Sequence, residues 1–324
     1  KQADFVAQRV TELIRSGVPL KEIAVLYRAH YHSMEMQMEF VRRDIPFDMR
    51  SGIRFFEQAH IKDVTCYMRV LVNPRDELAW RRLLVMYPKV GKATFNKIWH
   101  YLKKDENPLN ALLKDEFIRA MSKSAKPGLE ECQKTIRLLL ELPEAERIPE
   151  KIIDVLLNRG GYRVYLQDNY SDASSREEDL IQLGNFSGQF LKMEDFLNEL
   201  ALLTNMAREE NIGEEEDEDK VALSTIHQAK GLEWSYVFLI WCADGMIPLQ
   251  RALKEQEGEE EERRLFYVAV TRAKDQLYLC YPALDYNRSS GVLNMAPSRF
   301  IREIAPVSEY DADRPFEQWV VYDE

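Results

Sequence analysis

The sequence predicts an α/β fold in which a parallel-sheet domain is interrupted by an all-helical insert. Near both ends of the chain, short apolar segments alternate with amphipathic ones, which is typical of a parallel sheet flanked by helices. The predicted strands lie at 22–28, 45–49, 221–226, 236–241 and 276–281. Between about residues 76 and 210, amphipathic segments follow one another without a convincing strand. A succession of amphipathic segments without strands is typical of a helical bundle.

The elements of the first α/β segment, residues 1–75, have recognisable ends. Apolar residues at helical spacing predict a helix over 3–16 that stops at Gly17. Ser33 is a plausible N-cap for a helix running through Arg43. A further helix is predicted at 61–72.

The helical insert and the second α/β segment follow. Within 76–210, helices are predicted at 77–86, 94–103, 128–142, 149–157 and 177–203. The run 209–219 holds eight acidic residues and is interpreted as a solvated linker. In the second segment, 211–324, a helix fits residues 259–273, and residues 305–324 carry no clear pattern.

Composition bounds the class of protein. The 324 residues are 45% hydrophobic and 31% charged, as in an ordinary globular protein. No run of 18 apolar residues occurs, so no membrane span is expected. The four cysteines form no Cys-x-x-Cys pair, so no metal site is predicted, and reduced thiols in a cytoplasmic protein are the interpretation. The chain starts at Lys1 rather than Met, which suggests a piece of a longer protein.

The charge is uneven along the chain. The net charge of −11 argues against a nucleic-acid partner at first sight. Yet residues 209–219 and 254–262 concentrate eight and six acids, whereas residues 81–104 hold seven basic residues and no acid. The acidic total therefore does not exclude DNA.

The segment 225–234, TIHQAKGLEW, lies between two predicted strands and combines a hydroxyl, an imidazole, an ammonium and a carboxylate. Ligands of open α/β sheets bind at strand ends, so this is a candidate site. The alternative is a polar loop with a satisfied histidine.

A second segment, 262–274, carries Arg264 and Arg272 eight residues apart, so both can share one helix face. A positioned guanidinium is suited to neutralising charge on a transferring phosphoryl group. The alternative is that both arginines pair with nearby glutamates on a solvated helix.

Together the two segments resemble motifs V and VI of superfamily 1 DNA helicases of the UvrD/Rep/PcrA type. Residues 22–28 look like motif IV, 52–57 with 61–63 like motif IVa, and 88–94 like the glycine hairpin that opens the inserted subdomain. The resemblance covers residues 1 to about 105 and 175 to about 283. It implies a RecA-like motor domain, 2A, at 1–75 and 211–324, interrupted by the helical subdomain 2B at 76–210.

The resemblance also implies roles for individual residues. Arg28 and Arg272 would contact the γ-phosphate of ATP, with Arg272 as the arginine finger, and Glu233 would touch the ribose. The implied contacts to the backbone of single-stranded DNA are Thr225, His227 and Lys230. The implied duplex contacts are Lys89, Gly91, Lys92 and Thr94.

Two departures from the family pattern stand out. Val90-Gly91-Lys92 replaces Gly-Ile-Gly in the hairpin. Residues 247–249 read Ile-Pro-Leu where the family often has Phe-Pro-His, so we expect Arg251 to replace a lost DNA contact.

The residues that cradle the ATP phosphates are absent from the sequence. The only Gly-Lys pair, Gly91-Lys92, is followed by Ala93, and Met86 stands where a P-loop has its first glycine. ATP with Mg²⁺ would therefore be bound mainly by a missing N-terminal half, domains 1A and 1B. This chain alone is expected to be inactive.

The leading hypothesis is part of a 3′-to-5′ helicase acting on single-stranded DNA and single-strand/duplex junctions, with repair or replication proteins as possible partners and no membrane partner. One alternative is the matching part of a RecB- or AddA-type helicase–nuclease. Another is an inert DNA-binding module that keeps the fold. Retention of both Arg28 and Arg272 argues against the inert module.

Overall fold

A computed structural model describes residues 2–50, 55–209, 219–287 and 291–304. The chain divides into two compact units, one of Lys1–Phe55 with Asn205–Glu324 and the other of Phe56–Thr204. The first unit contains a parallel sheet and the second is helical in its described residues. The predicted fold class, a parallel α/β domain with an all-helical part, is confirmed.

The sheet of the first unit has five parallel strands in the order β2-β3-β1-β4-β5. They are β1 (Ile23–Tyr27), β2 (Phe47–Met49), β3 (Val221–Thr225), β4 (Trp234–Leu239) and β5 (Ala273–Leu279). Every residue of the neighbouring strands β1 and β3 is buried. Continuous apolar strands of this kind are expected where helices cover both faces of a parallel sheet.

Helices of the same unit complete its core. They are α1 (Gln2–Arg15), α2 (Met34–Arg42), α13 (Gly258–Val270) and α14 (Arg299–Ile304). Leu265, Phe266 and Ala269 of α13 pack into one apolar cluster with Ala24 and Leu26 of β1. Because these residues repeat at helical spacing, α13 presents one face to the sheet and leaves its other face polar.

The helical unit consists of ten helices in its described residues. They are α3 (Ala59–Val72), α4 (Glu77–Val85), α5 (Lys92–Leu102), α6 (Pro108–Leu112), α7 (Asp115–Ala120), α8 (Lys126–Leu140), α9 (Pro149–Asn158), α10 (Tyr162–Asn169), α11 (Ala173–Ser187) and α12 (Met193–Glu209). Its core includes the fully buried Trp80, Phe95 and Phe117.

Helix α3 lies in the helical unit rather than with the first α/β segment, where the boundary at residue 75 had placed it. The physical reason is its packing, since its buried face contacts α4, α9 and α11. The assignment of the two units as domains 2A and 2B stays a prediction.

One predicted helix was wrong, and two local features were not anticipated. The segment 177–203 is two helices, α11 and α12, separated by a turn. Phe190 in that turn is in ring contact with Phe186 and Phe196, so the apolar pattern continues across the break. Ser33 is the N-cap residue of α2, as predicted, but its side chain makes no capping hydrogen bond, since its hydroxyl donates to the carbonyl of His30. A hairpin of β6 (Leu284–Asn287) and β7 (Gly291–Asn294) was not predicted.

The predicted linker 209–219 falls almost entirely outside the described residues, as do Gly52, Ile53 and Arg54 of the motif IVa segment. In the described ranges, no helix is both long and apolar enough to cross a bilayer.

Candidate functional site

The loop 226–233 connects the carboxyl end of β3 to the start of β4. Its first turn is closed by the N–H groups of Gln228 and Ala229, which both donate to the Thr225 carbonyl at 3.1 Å. Gly231 has φ +87°, a left-handed conformation that favours glycine. His227 and Lys230 are exposed on this loop, whereas Thr225 is only 7% exposed.

Arg28 follows β1 and forms a two-pronged ion pair with Glu262 of α13. Its Nε donates to Glu262 Oε1 at 2.9 Å and its Nη2 donates to the same oxygen at 2.7 Å. The contact from Nε to Oε2 is 3.2 Å. Such forked pairs fix the plane of the guanidinium as well as its position. We call this interaction the Arg28–Glu262 pair.

His227 lies in the electric field of the same pair. Two effects lower the pKa of His227 below its ordinary value. The larger is desolvation of the ring by neighbouring atoms, and the smaller is the positive charge of Arg28. The carboxylates of Glu262 and Glu261 oppose that shift. Arg28, His227 and Glu262 therefore form one electrostatic cluster. At neutral pH the lowered pKa favours the uncharged imidazole.

Arg272 lies at the other end of α13 and is held only by neutral oxygens. Its Nε donates to the Val268 carbonyl and its Nη1 to the Leu232 carbonyl, both at 2.9 Å. Its Nη2 donates to the Thr271 hydroxyl at 2.9 Å. Within the part of the chain that the structure describes, no carboxylate lies within 4 Å of it, so its charge is oriented but not neutralised.

The two arginines are anchored at different levels of α13. Glu262, which holds Arg28, is six residues before Val268, which holds Arg272. That spacing is about 9 Å along the helix axis.

The alternative interpretation of segment 262–274, in which both arginines pair with nearby glutamates, holds for Arg264 only. Arg264 does pair with a neighbouring glutamate, Glu261, at 3.0 Å, and both side chains are well exposed at 70% and 62%. Arg272 does not follow that pattern. The two arginines of one segment therefore have different surroundings.

Glu233, the expected ribose contact, forms an exposed ion pair with Lys274 at 3.1 Å. Exposed pairs of this kind contribute at most about 1 kcal/mol, so Glu233 can exchange its partner for another polar group at low cost. Its position beside Leu232 places it one residue from an anchor of Arg272.

The loop 247–251 carries Arg251, which is half-buried. The N–H of Leu249 in this loop donates to Glu262 Oε2 at 3.1 Å. The carboxylate that holds Arg28 therefore also holds the loop that contains Arg251.

The expected duplex contacts lie in the helical unit, around the turn that opens α5. Lys89 has φ +63° there, Gly91 caps α5 and Lys92 is its first residue, and all three are exposed. Thr94 is half-buried. Lysines at the start of an eleven-residue helix add to the positive end of its dipole, which favours phosphate.

Two of the seven basic residues of 81–104 already have partners within the chain. Arg82 donates to the buried Asp63 at 2.6 Å, and Arg81 lies over the Phe95 ring at 5.1 Å while pairing with Glu77 at 3.3 Å. The lysines therefore remain as the better candidates for phosphate.

Glu262 is the site residue that the sequence reasoning missed. It stands in a run of six acids, but it alone precedes the apolar positions Leu265, Phe266 and Ala269 by three, four and seven residues. That spacing places Glu262 on the buried face of α13 and could have singled it out. In the described ranges, no group of three or more His, Cys, Asp or Glu side chains has the arrangement of a metal site.

Comparison with known proteins gives consistent matches. Residues 1–283 match the family of UvrD-like helicase C-terminal domains. The chain is similar to the ATP-dependent DNA helicase PcrA of Staphylococcus aureus, at 30% identity over 316 residues that cover 94% of this chain and 42% of that protein. PcrA of Staphylococcus epidermidis is 31% identical over 314 residues, with coverages of 94% and 42%.

A probable DNA helicase II homolog of Mycoplasma capricolum is 30% identical over 328 residues, which cover 99% of this chain and 45% of that protein. The chain thus spans less than half the length of the curated relatives that it matches.

Proposed function

This chain belongs to the family of UvrD-like helicase C-terminal domains, and on that premise we propose that it forms the second motor domain, with its helical insert, of an ATP-dependent DNA helicase. The helicase would move 3′ to 5′ on single-stranded DNA. The relatives that carry the name ATP-dependent DNA helicase support the ATP and DNA parts of this proposal.

The proposal rests on the hydrogen bonds that hold the guanidinium of Arg272. Its guanidinium is oriented by the carbonyls of Val268 and Leu232 and by the Thr271 hydroxyl, and it retains its full charge. A cation held by neutral acceptors is preorganised for charge that develops on a transferring phosphoryl group. Arg272 would act as the arginine finger toward ATP held by a second motor domain, and Arg28 would contact the same γ-phosphate.

The nucleotide would arrive with Mg²⁺, which neutralises charge on the β- and γ-phosphates when bound. The described residues of this chain offer no cluster of ligands for that ion. Its ligands and the P-loop would therefore belong to the other motor domain, 1A. What this chain supplies is one wall: two guanidiniums for the phosphates and Glu233 for the ribose.

The proposed contacts to DNA lie on the loop after β3, on the loop 247–251 and in the helical unit. The exposed His227 and Lys230 lie on the loop after β3, with Thr225 at its base, and would hold the backbone of single-stranded DNA. Arg251 would extend that contact from the loop 247–251. In the helical unit, Lys89, Gly91, Lys92 and Thr94 would meet the duplex ahead of the junction.

The experiment that tests the function compares two DNA substrates with the full-length protein. One duplex carries a 3′ single-stranded tail and the other carries a 5′ tail of equal length and sequence. We expect ATP-dependent strand separation on the 3′-tailed duplex only. Binding without any ATP hydrolysis would support the inert DNA-binding module instead, and separation of the 5′-tailed duplex alone would contradict the polarity.

A further inference from the structure

Glu262 differs from the acids around it in being buried. Its side chain is 2% exposed, whereas Glu260 and Glu261 are exposed on the same helix. Burying a carboxylate is costly unless it is paired and hydrogen-bonded. Here the cost is offset by the guanidinium of Arg28 and by the N–H of Leu249. The buried carboxylate therefore fixes the positions of both of these partners.

The pairing occupies one edge of the Arg28 guanidinium and leaves the other. Glu262 accepts from Nε and Nη2, and no described residue lies within hydrogen-bonding distance of Nη1. The Arg28 side chain is 16% exposed, so it is not sealed from solvent. A guanidinium has five N–H donors, and the ones left over can serve an anion while the carboxylate fixes the plane.

The second contact of Glu262 reaches a different element. Its Oε2 accepts from the N–H of Leu249, two residues before Arg251. Arg28 and the loop 247–251 are distant in sequence, yet the same carboxylate holds both. If the Arg28 guanidinium or the loop moves, the Glu262 carboxylate moves with it, and its hydrogen bond to the other partner changes.

We propose that Glu262 is a positioning residue that couples nucleotide to DNA. Its carboxylate sets the orientation of Arg28 for the terminal phosphate of ATP. Through Leu249, it ties that orientation to the loop that brings Arg251 to the DNA backbone. This inference rests on the proposed helicase function and adds to it a physical link between the two ligands.

Two substitutions in the full-length protein separate the two contacts. Glu262→Gln keeps the shape and an oxygen that can accept from Leu249, but it places an amide rather than a charge against Arg28. We expect kcat for ATP hydrolysis at saturating DNA to fall about tenfold or more, because a mispositioned group loses rate steeply. The DNA concentration that gives half-maximal stimulation should stay within about twofold of wild type.

Glu262→Ala removes both contacts. We expect a similar loss in kcat and, in addition, a rise of about fivefold in the half-stimulating DNA concentration, because the loop loses one hydrogen bond that anchors it. The matched control is Glu261→Gln, which changes the same charge one residue away on an exposed side chain that pairs with Arg264. It should leave both quantities within about twofold of wild type.

A double-mutant cycle with Arg28→Ala completes the test. If Glu262 acts through Arg28, adding Glu262→Gln to Arg28→Ala should lower kcat by less than about twofold further. Should Glu262→Gln not fold, as judged by circular dichroism, Glu262→Asp keeps the charge but withdraws it from both Arg28 and the N–H of Leu249, and we expect it to lower kcat and to raise the half-stimulating DNA concentration.

The outcomes distinguish this proposal from the proposed function. Wild-type turnover in a folded Glu262 variant, in a protein that Arg28→Ala inactivates, overturns the role of Glu262 and leaves the helicase assignment standing. Independent, multiplicative losses in the double variant also overturn it. A wild-type protein without DNA-stimulated ATP hydrolysis overturns the proposed function, and the positioning role with it.

Discussion

At the residue scale, two arginines that motif reasoning treats alike have different electrostatic situations. Arg28 faces a buried carboxylate at 2.7 Å, whereas Arg272 is held by neutral oxygens at 2.9 Å. A finger whose charge is not compensated in the resting state can act strongly on charge that appears in the transition state. An arginine that is already paired is better suited to orientation.

Loss of Arg272 should therefore affect turnover far more than ground-state binding. In the full-length protein we expect Arg272→Ala to lower kcat for ATP hydrolysis by about 10³-fold or more, by analogy with GTPase fingers. Arg272→Lys should not rescue it, because a point charge cannot reproduce the planar fork that spans Val268, Leu232 and Thr271. Turnover, nucleotide affinity and single-stranded DNA affinity are measured on one preparation.

Arg264→Ala is the matched control for that experiment, since Arg264 shares the helix but pairs with Glu261 at the surface. It should keep wild-type turnover within about twofold, as expected of an exposed pair. If Arg272→Ala abolished DNA binding while turnover per bound complex stayed normal, Arg272 would be a DNA-facing or structural residue.

His32 provides a residue-scale prediction about pH. Burial, followed by the charge of Arg28, lowers the pKa of His32 from its ordinary 6.5 to about 3. The ring accepts the Ala29 N–H on Nδ1 at 3.3 Å and stacks on Trp241 with centroids 5.5 Å apart. Its Nε2 has no hydrogen-bond partner among the described residues. The folded chain therefore keeps this histidine neutral.

The sign of the pH dependence follows from that lowered pKa. As pH falls below 6.5, the unfolded chain binds a proton at His32 that the folded chain refuses until about pH 3. The free energy of unfolding should fall over that window, by about 2 kcal/mol at pH 5 from this residue. Urea unfolding at pH 8 and pH 5 should show a smaller loss in His32→Gln than in wild type.

His100→Gln, on the exposed face of α5, is the control for this effect. It should show the same loss between the two pH values as the wild-type chain. An equal loss in His32→Gln would mean that His32 is protonated in the folded state near its ordinary pKa.

Residue-scale prediction from sequence succeeded where a motif fixes the residue and failed where a fold contact does. Arg28, His227 and Arg272 could be named because their segments resemble known motifs, although their roles stay predictions. Glu262 was not named: its helical spacing marks it as buried, but its partner lies 234 positions away in sequence. A side chain's partner at that separation is set by the sheet order, which brings α13 to the end of β1.

At the element scale, local patterns predicted the five strands of the parallel sheet and most long helices, because their apolar patterns were strong. The single segment 177–203 shows the limit of that reasoning. The turn between α11 and α12 contributes Phe190 to the same aromatic cluster as its flanks, so periodicity alone did not reveal the break. Parallel pairing of β1 with both β3 and β4 likewise could not be read from any one segment.

The element around the start of α5 has its own test. The exposed Lys89, Lys92 and Lys97 should give the chain weak, sequence-independent affinity for duplex DNA. Each phosphate contact releases counterions, so the logarithm of affinity should fall with the logarithm of salt concentration by about 0.9 per contact. Changing all three lysines to Ala should flatten that slope by roughly two to three units.

A second triple variant, Lys123→Ala with Lys134→Ala and Lys151→Ala, is the matched control. These lysines are also exposed in the helical unit, and the net charge changes equally. Their loss should leave the salt slope within about one unit of wild type, since only lysines at the interface release counterions. If both triple variants changed the slope alike, binding would reflect overall charge and the duplex assignment would be withdrawn.

At the scale of the whole molecule, the chain is built as two compact units with separate cores. All four cysteines are buried, Cys66 and Cys132 in the helical unit and Cys242 and Cys280 in the α/β unit. Burial raises the pKa of each thiol, to about 12 for Cys66, Cys132 and Cys280. Thiols protected in this way belong to the cores and have no place in the proposed chemistry.

The division of labour in the proposed helicase gives the last prediction. The 324-residue chain alone should not hydrolyse ATP. Its sequence has no P-loop to cradle the β- and γ-phosphates. The arginines alone cannot supply turnover, because a finger stabilises charge on a phosphoryl group that other residues must hold in line. Phosphate release with single-stranded DNA is measured for the chain, with the full-length protein as the positive control. Release above the buffer blank that disappears in the chain's Arg272→Ala variant would show that this half contains a complete ATPase site, and the proposal of a shared one would be wrong.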